Sequence, residues 1–163
     1  MTDIREAAET MAAFFRDHGL NARAAWQSGR WTAEKKPEMT VELARLEGGP
    51  AGLQDYLGER WNSEKNIWEE VYGRKASAEF ELNFYAMSAS ECMKQLETTT
   101  VALQAGRPGG WTVKRLSCEE TEFDRERGRY VRKAAMECEG FLTAATEESG
   151  AFLDFEVRGE RTR

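Results

Sequence analysis

Cys92 is the residue with the strongest chemical argument for reactivity. It stands four positions after Ser88 and falls in the first turn of a predicted helix, where the positive end of the helix lowers the pKa of a thiol. The only side chain that could serve as its base is His18, the single histidine of the chain, which is expected in the last turn of a different helix. Cys92 also lies on the apolar stripe of its helix, where a small buried thiol is ordinary. The sequence therefore predicts no catalytic residue, and we expect that the chain is not an enzyme.

The other residue types that could do chemistry do not converge on one site. Three pairs of adjacent glutamates occur: Glu69-Glu70, Glu119-Glu120 and Glu147-Glu148. Neighbours on a strand point to opposite faces of the sheet, and neighbours on a helix are splayed apart. The three cysteines, at positions 92, 118 and 138, are widely spaced and odd in number, which is neither a disulfide framework nor a zinc site. No glycine-rich phosphate loop occurs, so we predict neither a metal nor a cofactor.

The stretch FDRERGRYVRK, Phe123 to Lys133, concentrates five cations and two anions. Gly128 can supply the positive φ of a tight turn, and strand patterns flank it on both sides, so the stretch predicts a hairpin. Its acids, with those of the preceding strand, neutralise much of the positive charge. We interpret the tip as a charged surface, either solvated or used for protein docking, rather than as a phosphate clamp. Four arginines are its interface candidates: Arg125, Arg127, Arg129 and Arg132.

Composition places the chain among folded, charge-rich domains. Its 163 residues are 40% hydrophobic and 32% charged, with a net charge of −6, which suits a single domain over residues 1–163 and argues against sequence-specific nucleic-acid binding. No apolar run approaches the roughly 20 residues that span a bilayer, and the first residues lack a signal-peptide pattern. We therefore expect a cytoplasmic protein without a membrane partner.

Hydrophobic periodicity predicts an α+β fold with a mostly antiparallel sheet. Apolar residues at three-and-four spacing predict a first helix from Ile4 to His18 that ends at Gly19, with Asp3 as its cap. Alternation then predicts two strands, over 22–27 and 39–44, which we expect to pair antiparallel. Three more strands are predicted after residue 110, the first with a bulge. Two amphipathic helices are enough to cover one face of this sheet.

The clearest strand covers residues 77–86. Its apolar residues alternate with a second set of side chains that runs from Ser77 to Tyr85 and includes Glu79 and Glu81. One face of the sheet is therefore predicted to be buried, and the other, which we call the wet face, is solvated or at an interface. Glu79 and Glu81 are interface candidates for that reason. Ser88 and Glu91 follow at capping-box spacing and start the second helix.

The segment 48–75 breaks the strand pattern and is predicted to be a long loop or an insertion. It contains Tyr56, Trp61, Trp68 and Tyr72 among many charges, and Ser63 could cap a short helix that ends at Tyr72. The four aromatics either pack back on the domain or anchor an interface, where tryptophan and tyrosine are enriched.

This order of elements resembles the small α+β tail-terminator and tail-completion proteins of long-tailed phages. The resemblance extends from Ile4 to Val157 and includes the late hairpin ETEFDRERGRYVRKAAMECEGFLTA with its charged turn and its strand entry RYVRK. It implies a non-enzymatic virion or prophage protein that forms a ring, commonly a hexamer, at the end of the tail tube. Such a ring stops growth of the tube and joins it to the head, so the implied partners are further copies of the chain, the tail tube protein and the head–tail connector protein. The segment 48–75 is longer than in the simplest members.

Two other functions remain open from the residues alone. The chain could be a monomeric ligand-binding or regulatory module in which the segment 48–75 acts as a lid, and a pocket lined by Trp61, Trp68 and Tyr72 would favour that hypothesis. A flat, exposed aromatic surface would favour assembly instead. An enzyme that uses Cys92 is the third hypothesis.

Overall fold

A computed structural model describes residues 4–25, 36–50, 56–146 and 152–158 and confirms the predicted α+β class. The elements in chain order are α1 (Ile4–Asp17), β1 (Ala22–Ala24), β2 (Glu38–Pro50), β3 (Tyr56–Asn62), β4 (Ile67–Ala86), α2 (Ala89–Ala105), β5 (Thr112–Cys118), β6 (Glu122–Asp124), β7 (Arg129–Thr146) and β8 (Phe152–Arg158). A short 3-10 turn, Pro108–Gly110, links α2 to β5. The predicted cap Asp3 lies outside the described residues.

All eight strands belong to one sheet, and β4 and β7 form its centre. The main strand order is β1-β2-β4-β7-β5, while β3 pairs with β4, and β6 and β8 pair with β7. The pairs are antiparallel except for β1 and β2, which are parallel, so the predicted antiparallel pairing of these two strands is wrong. A parallel pair needs a connection of about a dozen residues or more, and the chain between Ala24 and Glu38 is long enough. Alternation indicates a strand but does not indicate its direction.

The core lies between one face of the sheet and the two helices. Phe80, Leu82 and Phe84 of β4 have no exposed surface, because alternation places them on the same face, opposite the buried residues of β2 and β7. Both helices contribute to the same cluster of buried side chains. The predicted apolar face of β4 is therefore confirmed. Tyr85 departs from the predicted wet face, since it is only 6% exposed.

Local signals at the helix ends and turns agree with the predictions. Gly19, just beyond α1, has a φ of 89°, which glycine adopts without strain. The Ser88 hydroxyl accepts a hydrogen bond of 3.2 Å from the backbone N–H of Glu91 and caps α2. In β5 the register shifts between Val113 and Arg115, which confirms the predicted bulge. Gly128 has a φ of 63° in the turn between β6 and β7.

The predictions of a long loop and of a short helix after Ser63 are wrong. β2 continues to Pro50, and the chain from Tyr56 to Tyr72 forms a β-hairpin of β3 and the first part of β4. The turn includes Asn66 with a φ of 56°. Aromatic and charged residues fit either a helix or a strand. Cross-strand pairs stabilise the strand here, since Trp61 lies opposite Trp68 and Tyr56 lies opposite Tyr72. Residues 51–55 of the segment lie outside the described residues.

Candidate functional site

The four predicted aromatics come together on one face of the β3–β4 hairpin, and we call this set the aromatic strip. Tyr56 and Tyr72 form an edge-to-face pair with ring centroids 5.5 Å apart, and Trp61 and Trp68 form a second pair at the same distance. The register places each pair directly across the two strands. Trp68 is 65% exposed, and Trp61 and Tyr56 are nearly half exposed. Among the described residues, the strip is therefore an exposed aromatic surface.

Two carboxylates lie between the tyrosine pair and the tryptophan pair. Glu59 and Glu70 are directly opposite each other in the register, and like charges in that position repel. The hydroxyl of Tyr72 donates a hydrogen bond of 2.7 Å to Glu70, which raises the pKa of Tyr72. Within the described ranges, neither carboxylate has a cation as a partner. The aromatic strip therefore has a negative centre.

Polar contacts on the other face hold this hairpin in shape. The Glu69 side chain is buried, accepts a hydrogen bond of 2.7 Å from the Asn62 amide and pairs with Arg60 at 3.4 Å. These contacts lower the pKa of Glu69, the Asn62 bond most of all. Asn62 also accepts the backbone N–H of Glu64 and of Lys65 in the turn. The strip is thus displayed on a built, hydrogen-bonded hairpin.

The second candidate surface is the hairpin of β6, the turn at 125–128 and the start of β7, which we call the charged hairpin. Arg127 pairs with Asp124 at 2.7 Å, and its guanidinium lies 5.5 Å from the ring centroid of Tyr85. The pair lowers the pKa of Asp124 and raises that of Arg127. Asp124 also accepts the backbone N–H of Glu126. Part of the predicted local neutralisation is therefore present.

Arg129 is buried at the base of the charged hairpin and does not belong to its surface. It is 6% exposed, and its guanidinium lies 3.4 Å from the carboxylate of Glu38. Glu38 also pairs with Arg23 at 2.6 Å. The predicted interface candidate Arg129 is therefore placed in a largely buried ionic cluster, because strand alternation puts it on the same face of the sheet as Glu38.

Sequence reasoning missed an aromatic pair on the charged hairpin. Phe123 is 53% exposed, and its ring lies edge-to-face with Tyr130 at 5.1 Å. On the same side of β7, Arg132 donates to the Thr121 hydroxyl at 3.2 Å and approaches the Cys118 sulfur at 3.8 Å. In the described part of the chain, the guanidinium groups of Arg132 and Arg125 have no carboxylate partner. The alternation of Phe123 with Glu122 and Asp124 was the signal that could have revealed it.

Reversing the charge of Arg127 should change folding stability very little. An exposed ion pair stabilises a protein by about 0–1 kcal/mol, so we expect Arg127→Glu to lower the melting temperature by less than about 4 °C in a chain of this length. The matched control on the same hairpin is Arg129→Gln, which leaves the buried Glu38 with one cation fewer and should lower the melting temperature further. Thermal denaturation by circular dichroism compares the two. Equal losses would contradict the different burial of these arginines.

The candidates Glu79 and Glu81 lie on the sheet face that the helices do not cover. Both are partly exposed. Glu79 is directly opposite Glu137 on β7, and Glu81 is directly opposite Glu42 on β2. Like charges directly opposite each other repel, but Arg45 of β2 also lies opposite Glu79 and offsets part of this repulsion. Their role in an interface stays a prediction.

Cys92 is a core residue in the structure. It has no exposed surface, and its thiol donates weakly to the backbone carbonyls of Phe84 and Tyr130 at 3.5 and 3.6 Å. Burial raises the pKa of its thiol. His18 is exposed at the end of α1, and its Nδ1 lies 2.8 Å from the carbonyl of Phe14. The thiolate that nucleophilic catalysis needs is disfavoured here.

Thiol labelling of the folded protein tests this burial. We expect a thiol reagent to label Cys118, which is exposed, and to leave Cys92 and Cys138 unlabelled until the chain unfolds. Burial also raises the pKa of Cys138, to about 12, so it is a matched buried control. Mass spectrometry after a short pulse gives the count for each cysteine. Rapid labelling of Cys92 in the native state would revive the enzyme hypothesis.

The described regions were also searched for clefts, metal-ligand clusters and membrane-spanning helices. A cleft of about 560 Å³ lies between the end of α1 and α2 and is lined by residues that include Lys36, Lys94 and Gln95. This cleft and two smaller ones that are lined by described residues contain no member of the aromatic strip. No group of three or more metal-ligating side chains is found within residues 4–25, 36–50, 56–146 and 152–158. Neither described helix is long and apolar enough to cross a membrane.

Comparisons with known proteins find similarity among solved structures. No protein-family model matches the chain, and no curated protein matches it. Among solved structures, the chain is similar to the sheath/tube terminator of PVC, an extracellular contractile injection system, in its extended state. The identity is 8% and the TM-score is 0.45, and the match covers 100% of this chain and 65% of the terminator. Because both measures are low, the proposals below rest on this chain's own residues.

Proposed function

We propose that the chain is a non-enzymatic assembly protein whose copies join into a ring, and that this ring ends a phage-type tail tube and joins it to the head. The aromatic strip on the β3–β4 hairpin carries the self-assembly part of this proposal. The role at the tail tube comes from the resemblance in element order and in the late charged hairpin. On this proposal the chain works in the bacterial cytoplasm during assembly and afterwards in the virion tail.

Exposed apolar surface is concentrated rather than scattered. Eight large hydrophobic side chains are exposed among the described residues, and three of them, Tyr56, Trp61 and Trp68, lie on one face of the β3–β4 hairpin. Scattered exposed apolar residues need no explanation, but a contiguous patch marks an interaction surface. Tryptophan and tyrosine supply most of the binding energy at protein interfaces. The exposed aromatics of this hairpin therefore indicate that it binds a protein partner.

The monomeric ligand-binding module is supported less well. That hypothesis needs the segment 48–75 to act as a lid over a pocket lined by Trp61, Trp68 and Tyr72. From Tyr56 to Tyr72 the chain is hydrogen-bonded hairpin and its tryptophans face outwards. A flat exposed patch favours assembly.

Solution mass tests the self-assembly directly. We would measure it by light scattering over a wide concentration range of the purified chain. We expect the mass to rise with concentration towards a closed ring of about six copies. A mass that stays at one copy at the highest soluble concentration would contradict self-assembly.

A second assay tests the role at the tail tube. Tail tube protein from the same phage or prophage is polymerised with and without the chain, and tube lengths are measured by electron microscopy. We expect shorter tubes with the chain bound at one end. Unchanged tube lengths, with a ring present in light scattering, would leave an assembly protein whose role is not tail termination.

A further inference from the structure

We propose that the charged hairpin of one copy receives the aromatic strip of the next copy. This inference rests on the proposed self-assembly and adds the identity of the two contacting surfaces. The interface would be head-to-tail, because it joins two different patches of the same chain. Such a heterologous contact closes into a ring when its rotation fits and otherwise extends into a filament.

The two patches lie at opposite ends of the central strand. The aromatic strip begins at Trp68, near the start of β4, and the charged hairpin meets the last residue of β4 where Ala86 pairs with Tyr130. β4 has 20 residues, and a strand of that length extends over about 60 Å. One copy cannot bring its own two patches together over that distance, so the contact must be made between copies.

Charge complementarity argues for this pairing of surfaces. The strip carries Glu59 and Glu70 side by side without a cation, while the charged hairpin carries Arg125 and Arg132 without a carboxylate, each within the described residues. Arg74, at the inner end of the strip, already has a partner. An arginine of the receiving copy could pair with the glutamates bidentately and stack on a tryptophan face.

The apolar parts of the two surfaces also match. The exposed Phe123 and the partly exposed Tyr130 form an edge-to-face pair on the hairpin that carries the two arginines, and aromatic pairs from two chains pack favourably in the same geometry. A symmetric contact of strip against strip would instead place Glu59 and Glu70 of one copy near the same residues of the other. Repulsion between these carboxylates disfavours that arrangement.

A charge-swap experiment tests the inference. One variant is Glu59→Arg with Glu70→Arg, and the second is Arg125→Glu with Arg132→Glu. In a sample of one variant alone, every contact between two copies would join like charges. We therefore expect the protein concentration at which half of the chain is assembled to rise at least about tenfold. In a 1:1 mixture every contact joins opposite charges again, and we expect the assembled mass to return. Light scattering gives the mass of each sample.

Controls separate folding from association. Lys94→Glu with Glu97→Lys reverses two exposed charges on α2 that belong to neither patch, and this variant should assemble like the unaltered chain. Because Arg132 is partly buried, a single Arg125→Glu variant provides a second test at a fully exposed position. Each variant's melting temperature is measured beside its mass.

Each outcome decides between the hypotheses. Loss of assembly by each double variant and its return in the mixture would support the head-to-tail interface. Normal assembly by the arginine variants, while the glutamate variant fails, would overturn it in favour of a strip-to-strip contact. Normal assembly by both variants would place the interface elsewhere and leave self-assembly standing. An unaltered chain that stays monomeric would overturn both the inference and the proposed self-assembly.

Discussion

Replacing Phe84 by alanine is expected to lower the free energy of unfolding by about 3–5 kcal/mol. Its side chain has no exposed surface, and it lies at the centre of the core with Leu82 beside it on β4 and Met39 opposite it on β2. Removing the ring takes away apolar burial and leaves a cavity that the flanking strands cannot close, because their register is fixed by hydrogen bonds on both sides.

Urea denaturation at low protein concentration measures this loss. The matched control is Phe123→Ala, which removes the same side chain from a position that is 53% exposed. That control should lose less than about 1.5 kcal/mol, mainly its contact with Tyr130. A loss below about 1 kcal/mol for Phe84→Ala would contradict its place in the core.

Features set by neighbouring residues could be predicted from the sequence. The alternation of Phe80, Leu82 and Phe84 against polar residues fixed which face of β4 is buried, because successive side chains on a strand point in opposite directions. The helix cap Ser88 and the turn residue Gly128 could be predicted for the same reason. Ser88 accepts a backbone N–H three residues later, and Gly128 supplies the positive φ of its own turn. The two helices and most of the strands followed from such signals.

Features set by distant residues could not be predicted. The segment 48–75 holds tryptophans, tyrosines and charges in a pattern that suits several structures, and only the pairing of Trp61 with Trp68 makes it a hairpin. Arg129 is buried because Glu38, 91 positions earlier, provides its partner across the sheet. Tyr85 is buried although Glu81 and Asn83, which precede it on the same face of β4, are partly exposed, and the guanidinium of Arg127 lies over its ring. Each outcome depends on which strands become neighbours.

The candidate surfaces were predicted in part. The four aromatics of the strip were identified from the sequence by residue type, but their arrangement as two edge-to-face pairs on either side of Glu59 and Glu70 required the register. The charged hairpin was predicted as a hairpin, but the pairing of Phe123 with Tyr130 was not predicted. The interpretation of this stretch rested on its charged side chains and left out its aromatic ones. Composition indicates which side chains are available, and topology decides which of them share a surface.

Replacing Trp68 by alanine is expected to harm association far more than folding. Trp68 is 65% exposed in a single copy, so its loss should lower the free energy of unfolding by less than about 1.5 kcal/mol, chiefly through the contact with Trp61. A tryptophan that anchors an interface contributes about 2 kcal/mol or more to binding, which corresponds to an association constant about thirtyfold lower. Light scattering and urea denaturation measure the two effects separately.

Trp111 supplies the matched control, because the same residue type is there in the core. It is 2% exposed and its ring lies edge-to-face with Phe80 at 5.7 Å. Trp111→Ala should therefore lower the free energy of unfolding by about 3–5 kcal/mol. The fraction of this variant that still folds keeps both proposed surfaces, so it should associate like the unaltered chain. If Trp68→Ala cost more stability than association, Trp68 would belong to the packing of the fold. The β3–β4 hairpin would then lose its role as the assembly surface, because the most exposed of its aromatics would have no partner to bind.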